Sequence, residues 1–398
     1  MTATPKLVAL LSPYRLHSFY SSLILFPPPG YRIVDAAAAD GWSSPTRNLP
    51  VTFVRRFASP VLSKAGLPIK LMSSLGQKMS RIGDNFSLVY SAGMLYFGKK
   101  PYITDAEDAL SSWMGRTYDM RFLHRFIEQQ LGSSHCRSII CWNIATSKSI
   151  LQTYDTSSFH HKIKVMPPAI PLSIELGKRG KETVDILFLG SGSLNTVDAF
   201  YYKGGHIVVE VYKRIKRRRA NVRLVMRSKI PTEYKRRIMS EKDIRVIDAP
   251  VARDELERTM WNSDIMILPA LFTPWTSILE AFDHRLPVVT TNTHANAELV
   301  EHGKSGFVCD VPDEMRNVSG TYLVPDRKSK RSIEKVWLNG MDASIEALAD
   351  STLKLVDDDG LRQKMGNYAR NNIAEGGRFS IQNRNRRLAA VLDEAVSK

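Results

Sequence analysis

From Val184 onward, short runs of β-branched and apolar residues alternate with longer segments whose apolar positions return every three or four residues. A buried strand needs four to eight such residues and an amphipathic helix needs the longer period, so the alternation predicts a parallel sheet with crossover helices. The expected strands are Val184 to Leu189, Val222 to Met226, Ile244 to Ile247, Ile265 to Leu268, Pro287 to Thr291 and Gly306 to Cys309. Between them, Ile207, Val208, Val211, Tyr212 and Ile215 share one helical face, and further helices are expected at Glu233 to Met239, Arg253 to Trp261, Ser277 to Asp283 and Asn296 to His302. The first half is a less regular version of the same pattern. Its strands are expected at Leu7 to Leu11, Val51 to Val54, Phe86 to Tyr90, Tyr102 to Thr104, Ser138 to Trp142 and Ile163 to Met166.

The fold class that follows is α/β, with two Rossmann-like domains facing across a cleft. A chain of 398 residues is too long for one core, because cores stop growing near 250 to 300 residues. The prolines and the Gly-Lys-Arg-Gly run of MPPAIPLSIELGKRGKE break regular structure. We therefore expect an N-terminal domain over 1–168, a linker over 169–182 and a C-terminal domain over 183–380. A polar inserted loop is expected at about 313–344, and the closing helix, 381–398, could return to the N-terminal domain.

Composition narrows the class. The chain is 43% hydrophobic and 24% charged, as a globular protein is. Its longest apolar runs fall short of the roughly 18 residues a spanning helix needs. The opening segment reads as a first strand rather than a signal peptide. Cys136, Cys141 and Cys309 lack metal-ligand spacing and point to buried thiols in a cytoplasmic setting, with no metal site. The net charge of +16 is uneven: residues 1–170 hold 19 Lys and Arg against 9 Asp and Glu, and the remainder 37 against 31. A basic N-terminal domain suits an anionic membrane surface touched peripherally, a polyphosphate-linked acceptor or nucleic acid. No nucleic-acid motif is present, so nucleic acid is not expected as a partner. Lys213 to Arg219 reads as a solvated helix face, Asp357 to Asp359 as a polar turn, and His294 and His302 as surface helix residues.

Two segments carry chemistry. In FLGSGSLNTVDAFYYKGG, Phe188 to Gly205, a strand runs into a Gly and Ser turn with a Lys just before a helix. Glycines admit a phosphate close to the backbone, a helix start offers N–H donors, and Lys adds charge; an ordinary strand-to-helix loop is the alternative. In DIMILPALFTPWTSILEAF, a strand ends at Pro269 and a helix begins around Thr276, Ser277 and Ile278, with Glu280 in its first turns. That arrangement suits an anion at the helix start and sugar hydroxyls at the carboxylate, or a Glu that only balances the helix dipole.

From Ile186 to Ala395 the segments FLG, KGG, RLVMRS, RVIDAPVARDELERTMWNSDIMILPA, SILEAFDHRLPVVTTN and AELVEHGKSGFV follow in that order. In order, spacing and residue type they resemble the retaining glycosyltransferases of family 4, the "group 1" family with the GT-B fold. The resemblance implies a metal-independent hexosyltransferase without a cofactor. Its substrates would be a nucleotide-diphosphate sugar, such as a UDP- or GDP-sugar, and a glycan or lipid-linked acceptor. Residue by residue, it implies that Lys203 contacts the diphosphate, with Gly190 and Ser191 in the adjoining turn. It implies that Glu280 binds ribose hydroxyls, that the start of the helix, Thr276, Ser277, Ile278 and Leu279, faces the phosphates, and that Pro250 and Val251 lie against the base.

The departures are as specific. A first acidic residue, separated from the second by seven positions, touches the transferred sugar in the family, and this chain carries Phe272 there. An Arg beside the first Gly is replaced by Ser191, and a glycine-rich turn by Arg227 and Ser228, so Arg227 is a candidate for the lost charge. After PYIT the family's His gives way to DAED, which makes Asp105 or Glu107 the candidate at the sugar, unless they are helix N-terminal carboxylates. Two other classes stay open: a nucleotide-sugar-binding protein without full activity, and a basic nucleic-acid-binding protein.

Overall fold

The computed structural model describes residues 4–12, 18–36, 82–109, 112–113, 120–177, 182–190, 198–239, 241–249, 251–315 and 335–397. The expected strand at Val51 to Val54, Ser191, Pro250 and residues 316–334 of the expected insertion lie outside them. The chain divides into two compact units: 1–169 with 323–330 and 381–398, and 170–322 with 331–380.

Unit 1 is built on a six-stranded parallel sheet: β1 (Lys6–Leu11), β2 (Tyr31–Asp35), β3 (Leu88–Ser91), β4 (Tyr102–Ala106), β5 (Cys136–Cys141) and β6 (Ile163–Val165). The spatial order is β2-β1-β3-β4-β5-β6. Helices α1 (Ser18–Leu25), α2 (His124–Gly132) and α3 (Ile144–Thr153) belong to it. Its core gathers Val89, Tyr102, Trp113, Ile127, Ile139 and Phe159, all fully enclosed.

Unit 2 contains β7 (Val184–Leu189), β8 (Val222–Arg227), β9 (Ile244–Ile247), β10 (Ile265–Ile267), β11 (Val288–Thr291) and β12 (Gly306–Cys309), again all parallel. Its helices are α4 (Asp198–Tyr202), α5 (Gly205–Arg218), α6 (Thr232–Met239), α7 (Arg253–Trp261), α8 (Trp275–Asp283), α9 (Asn296–Leu299), α10 (Asp342–Asp357) and α11 (Asp359–Asn371). The sheet order is β12-β11-β10-β7-β8-β9. From β7 the chain moves outward to β8 and β9, and from β10 it moves the opposite way to β11 and β12. The order therefore reverses between β7 and β10, which lie side by side. In open parallel sheets such a reversal leaves a crevice beyond the strand C-termini, where ligands bind.

The last helix, α12 (Ile381–Ser397), belongs to unit 1. Arg384, Leu388, Val391, Leu392 and Ala395 form its buried stripe at helical spacing. Arg384 is enclosed there and donates to Ser22 Oγ at 2.8 Å and to the Phe26 carbonyl at 2.8 Å. Replacing it with Met removes both bonds, although Asn385 Nδ2 still donates to the Phe26 carbonyl at 3.2 Å and Ser22 Oγ still donates to the Phe19 carbonyl, so Arg384→Met is expected to lower unit 1 stability by about 1–2 kcal/mol, read as a fall in melting temperature.

The basic stretch of α5 is not simply a solvated face. Arg214 pairs with Glu346 at 3.0 Å, Arg218 with Asp350 at 2.6 Å and Arg219 with Asp357 at 2.6 Å, so the stripe lies against acidic positions of α10. Arg214, Arg218 and Arg219 are thus paired within the unit. Asp358 caps α11 by accepting from Leu361 N–H at 2.8 Å, as a polar turn does.

Candidate functional site

The β7–α5 connection brings Lys203 to the reversal point. Gly204 caps α5 in the left-handed region, at φ 78°, and the reason lies across the reversal: a Cβ there would stand 2.2 Å from the Pro269 carbonyl oxygen. Leu271 N–H donates to the Tyr202 carbonyl at 2.9 Å. The Tyr202–Lys203–Gly204 turn is thereby seated on the loop that leads from β10 into α8. Gly190, at the end of β7, donates to the Arg227 carbonyl at 2.8 Å, and a side chain there would collide with Ser228.

That loop is itself fixed from the neighbouring connection. Thr293 Oγ1 donates to the Ala270 carbonyl at 2.6 Å, and Asn296 Nδ2 reaches the same oxygen at 3.1 Å. His294 is not on a helix. It occupies the turn before α9 at φ 47°, and its Nδ1 accepts from Thr273 N–H at 3.2 Å. Phe272 lies between the Tyr202 and His294 rings, at centroid distances of 6.0 and 6.4 Å. His302 is exposed beyond the end of α9.

Helix α8 begins at Trp275, two residues before its expected start, and this changes which amides face outward. Ile278 N–H opens the helical ladder by donating to the Pro274 carbonyl at 3.1 Å, and the Ile278 and Leu279 side chains are in the core. The Ile278 amide is thus already engaged within the helix, and the first turn, Trp275 to Ser277, precedes the ladder. Thr276, Ser277 and Glu280 share the half-buried face. Glu280 stands five residues past the helix start, roughly 7 Å along its axis.

The remaining candidates divide. Arg227 ends β8, and its Nε is buried with no hydrogen-bond partner among the described residues. Val251 is half-buried in the β9–α7 connection. Asp105, at the end of β4 in unit 1, is fully buried and accepts from Tyr20 Oη, Tyr90 Oη and Trp142 Nε1, each at 3.1 Å, and from Gly93 N–H. Burial pushes its carboxyl above the usual range against the pull of those donors. With both oxygens occupied and no exposure it organises the core, so it is withdrawn as the sugar-facing group. Glu107 is half-buried, and its N–H donates to Ser112 Oγ at 2.9 Å. Arg253, Glu257 and His284, which surround Glu280, carried no signal in the sequence beyond the four-residue spacing of the first two.

Among the described residues no cluster of three or more His, Cys, Asp or Glu is arranged to hold a metal ion, and no helix is long and apolar enough to cross a membrane. The three cysteines are free and buried.

Two parallel six-stranded sheets with interleaved helices define the GT-B class. Solved structures share it. HepE of Anabaena, crystallised in complex with UDP-glucose, is 14% identical over 98% of this chain and 99% of its own, with a TM-score of 0.57. WaaG, a glycosyltransferase involved in lipopolysaccharide biosynthesis, is 13% identical over 97% and 99%, with a TM-score of 0.56. A glycosyltransferase from Rickettsia africae ESF-5 is 11% identical over 98% and 99%, with a TM-score of 0.54. Residues 184–319 match the family described as "Glycosyl transferases group 1", and the protein is a glycosyltransferase. No curated protein matches the sequence.

Proposed function

We propose that the protein is a retaining, metal-independent glycosyltransferase that moves a hexosyl group from a nucleotide-diphosphate sugar to a glycan or lipid-linked acceptor. The observation that carries this reading is the seating of the Lys203 turn on the β10–α8 loop, at the point where the sheet order reverses. Cleaving a bond from a sugar carbon to a diphosphate builds negative charge on the leaving phosphate, and fixed cations and dipoles stabilise it. Lys203 supplies a full charge, and the start of α8 supplies amides. Glu280, further along that helix, takes the ribose, and Val251 lies by the base. HepE's complex with UDP-glucose supports a nucleotide-sugar donor. WaaG's part in lipopolysaccharide biosynthesis supports a glycan or lipid-linked acceptor. Glu107 is the acidic group retained for the acceptor side, and the basic N-terminal half favours an anionic acceptor or membrane surface in the cytoplasm.

A thermal-shift panel of UDP-, GDP- and ADP-sugars tests the donor. One of them is expected to raise the melting temperature, because a ligand that binds only the folded state stabilises it by mass action. No shift with any of them would count against the donor site. Arg227→Gln, which removes a cation whose Nε lacks a partner, is expected to weaken binding of the active nucleoside diphosphate about tenfold by calorimetry.

A further inference from the structure

Glu280 is part of a closed circuit of charges. Arg253, at the start of α7, donates from Nη1 to Glu280 Oε1 at 2.7 Å and from Nη2 to Glu257 one turn further along its own helix. The other oxygen of Glu257 meets His284 Nε2 at 2.6 Å, and His284 Nδ1 meets the Glu280 backbone carbonyl at 2.7 Å. The circuit runs from the Glu280 side chain through three residues back to the Glu280 main chain. It leaves Glu280 Oε2 outside.

A carbonyl oxygen only accepts. Burial alone would raise the Glu257 carboxyl, but the pull of His284 and Arg253 outweighs it and holds the group below the usual glutamate range, so it too is an acceptor. His284 Nδ1, facing that carbonyl, therefore donates to it, and Nε2 lies against Glu257. The His284 side chain is fully buried and that of Glu280 is 12% exposed, whereas Arg253 remains 54% exposed, so the enclosed members are held by a cation within reach of solvent.

We propose that Arg253, anchored by Glu257 and His284, is a positioning residue that holds Glu280 so that Oε2 meets the ribose hydroxyls of the nucleotide. A free carboxylate on a helix surface samples several rotamers, and each lost rotamer is entropy that binding must otherwise supply. Clamping Oε1 removes that freedom before the ligand arrives. The inference rests on the reading of Glu280 as the ribose ligand.

The test compares UDP with 2′,3′-dideoxy-UDP by calorimetry, or the corresponding pair of GDP or ADP if that nucleotide binds instead. The wild type is expected to prefer the ribonucleotide by tenfold or more, as a charge-assisted hydrogen bond to a hydroxyl implies. Glu280→Gln is expected to bring the ratio near one. Arg253→Gln is expected to lower it roughly threefold to tenfold, and Glu257→Gln by a smaller factor, although neither residue touches the ligand. A purely structural role would lower the melting temperature and leave the ratio intact. If Glu280→Gln flattens the ratio while Arg253→Gln and Glu257→Gln leave it unchanged, this proposal alone is overturned. If Glu280→Gln leaves it unchanged, the ribose reading falls and takes the proposal with it.

Discussion

Lys203→Ala is expected to lower kcat/KM for sugar transfer by roughly 10²–10³, the usual cost of removing one preorganised charge from a transition state. The effect should fall mainly on kcat, because the leaving diphosphate carries more charge in the transition state than in the bound donor. Lys203 is half-buried, and it sits in a turn held by the Leu271 to Tyr202 backbone bond and by the close approach of Gly204 to Pro269. Steady-state kinetics with a melting curve separates the two effects: a large loss of rate with a near-native melting temperature is the expected pattern. A mild loss, within a few fold, would mean that the charge at the diphosphate comes from elsewhere.

Gly204→Val carries the second large effect, for a different reason. At φ 78° any side chain is strained, and the new Cβ would begin 2.2 Å from the Pro269 oxygen and 2.9 Å from its ring. Either the Lys203 turn or the β10–α8 loop must move. Unit 2 is expected to lose about 2–4 kcal/mol and nucleotide binding with it, since the substitution parts the two halves of the site. Gly303 is the internal control. It has the same φ of 78° with nothing within 4 Å, so Gly303→Ala should cost only the backbone strain, about 1 kcal/mol, and leave binding intact. Chemical denaturation of the two variants, followed by calorimetry, reads the difference.

These expectations depend on features that the sequence disclosed unevenly. Parallel strands were the most legible: Val184–Leu189, Ile244–Ile247 and Gly306–Cys309 occupy their expected spans, because each is a short run rich in apolar residues, whether enclosed like the first or half-buried at the sheet edge like the second. Strand β2, Tyr31–Asp35, went unread. It has only five residues and, among the described residues, pairs with β1 alone, and its alternating exposed and half-buried positions break the apolar run. Helix α8 starts two residues early because Trp275 and Thr276 look like loop on an apolar count, while Pro274 is a good residue to stand just ahead of a helix.

The candidate site shows the same division. Lys203, Gly190 and Glu280 were singled out by motif: Gly190 follows β7, Lys203 stands just before α5 and Glu280 lies within α8. The contact that joins their loops, Gly204 on Pro269, links positions 65 apart and has no local signature. Asp105 is the converse case. An acidic residue after a strand looks available in a sequence, and only the folded chain brings Tyr20, Tyr90, Gly93 and Trp142 around it. The circuit behind Glu280 was equally hidden, because His284 directly follows α8 in sequence but meets Glu257 of α7 in space.

The most direct test of the site is crystallisation of the protein with the nucleoside diphosphate that shifts its melting temperature. Density for the diphosphate is expected between Lys203 Nζ and the first-turn amides of α8, with the ribose against Glu280. A well-ordered nucleotide bound on another face of the sheet, with Lys203 and Glu280 both untouched, would contradict it.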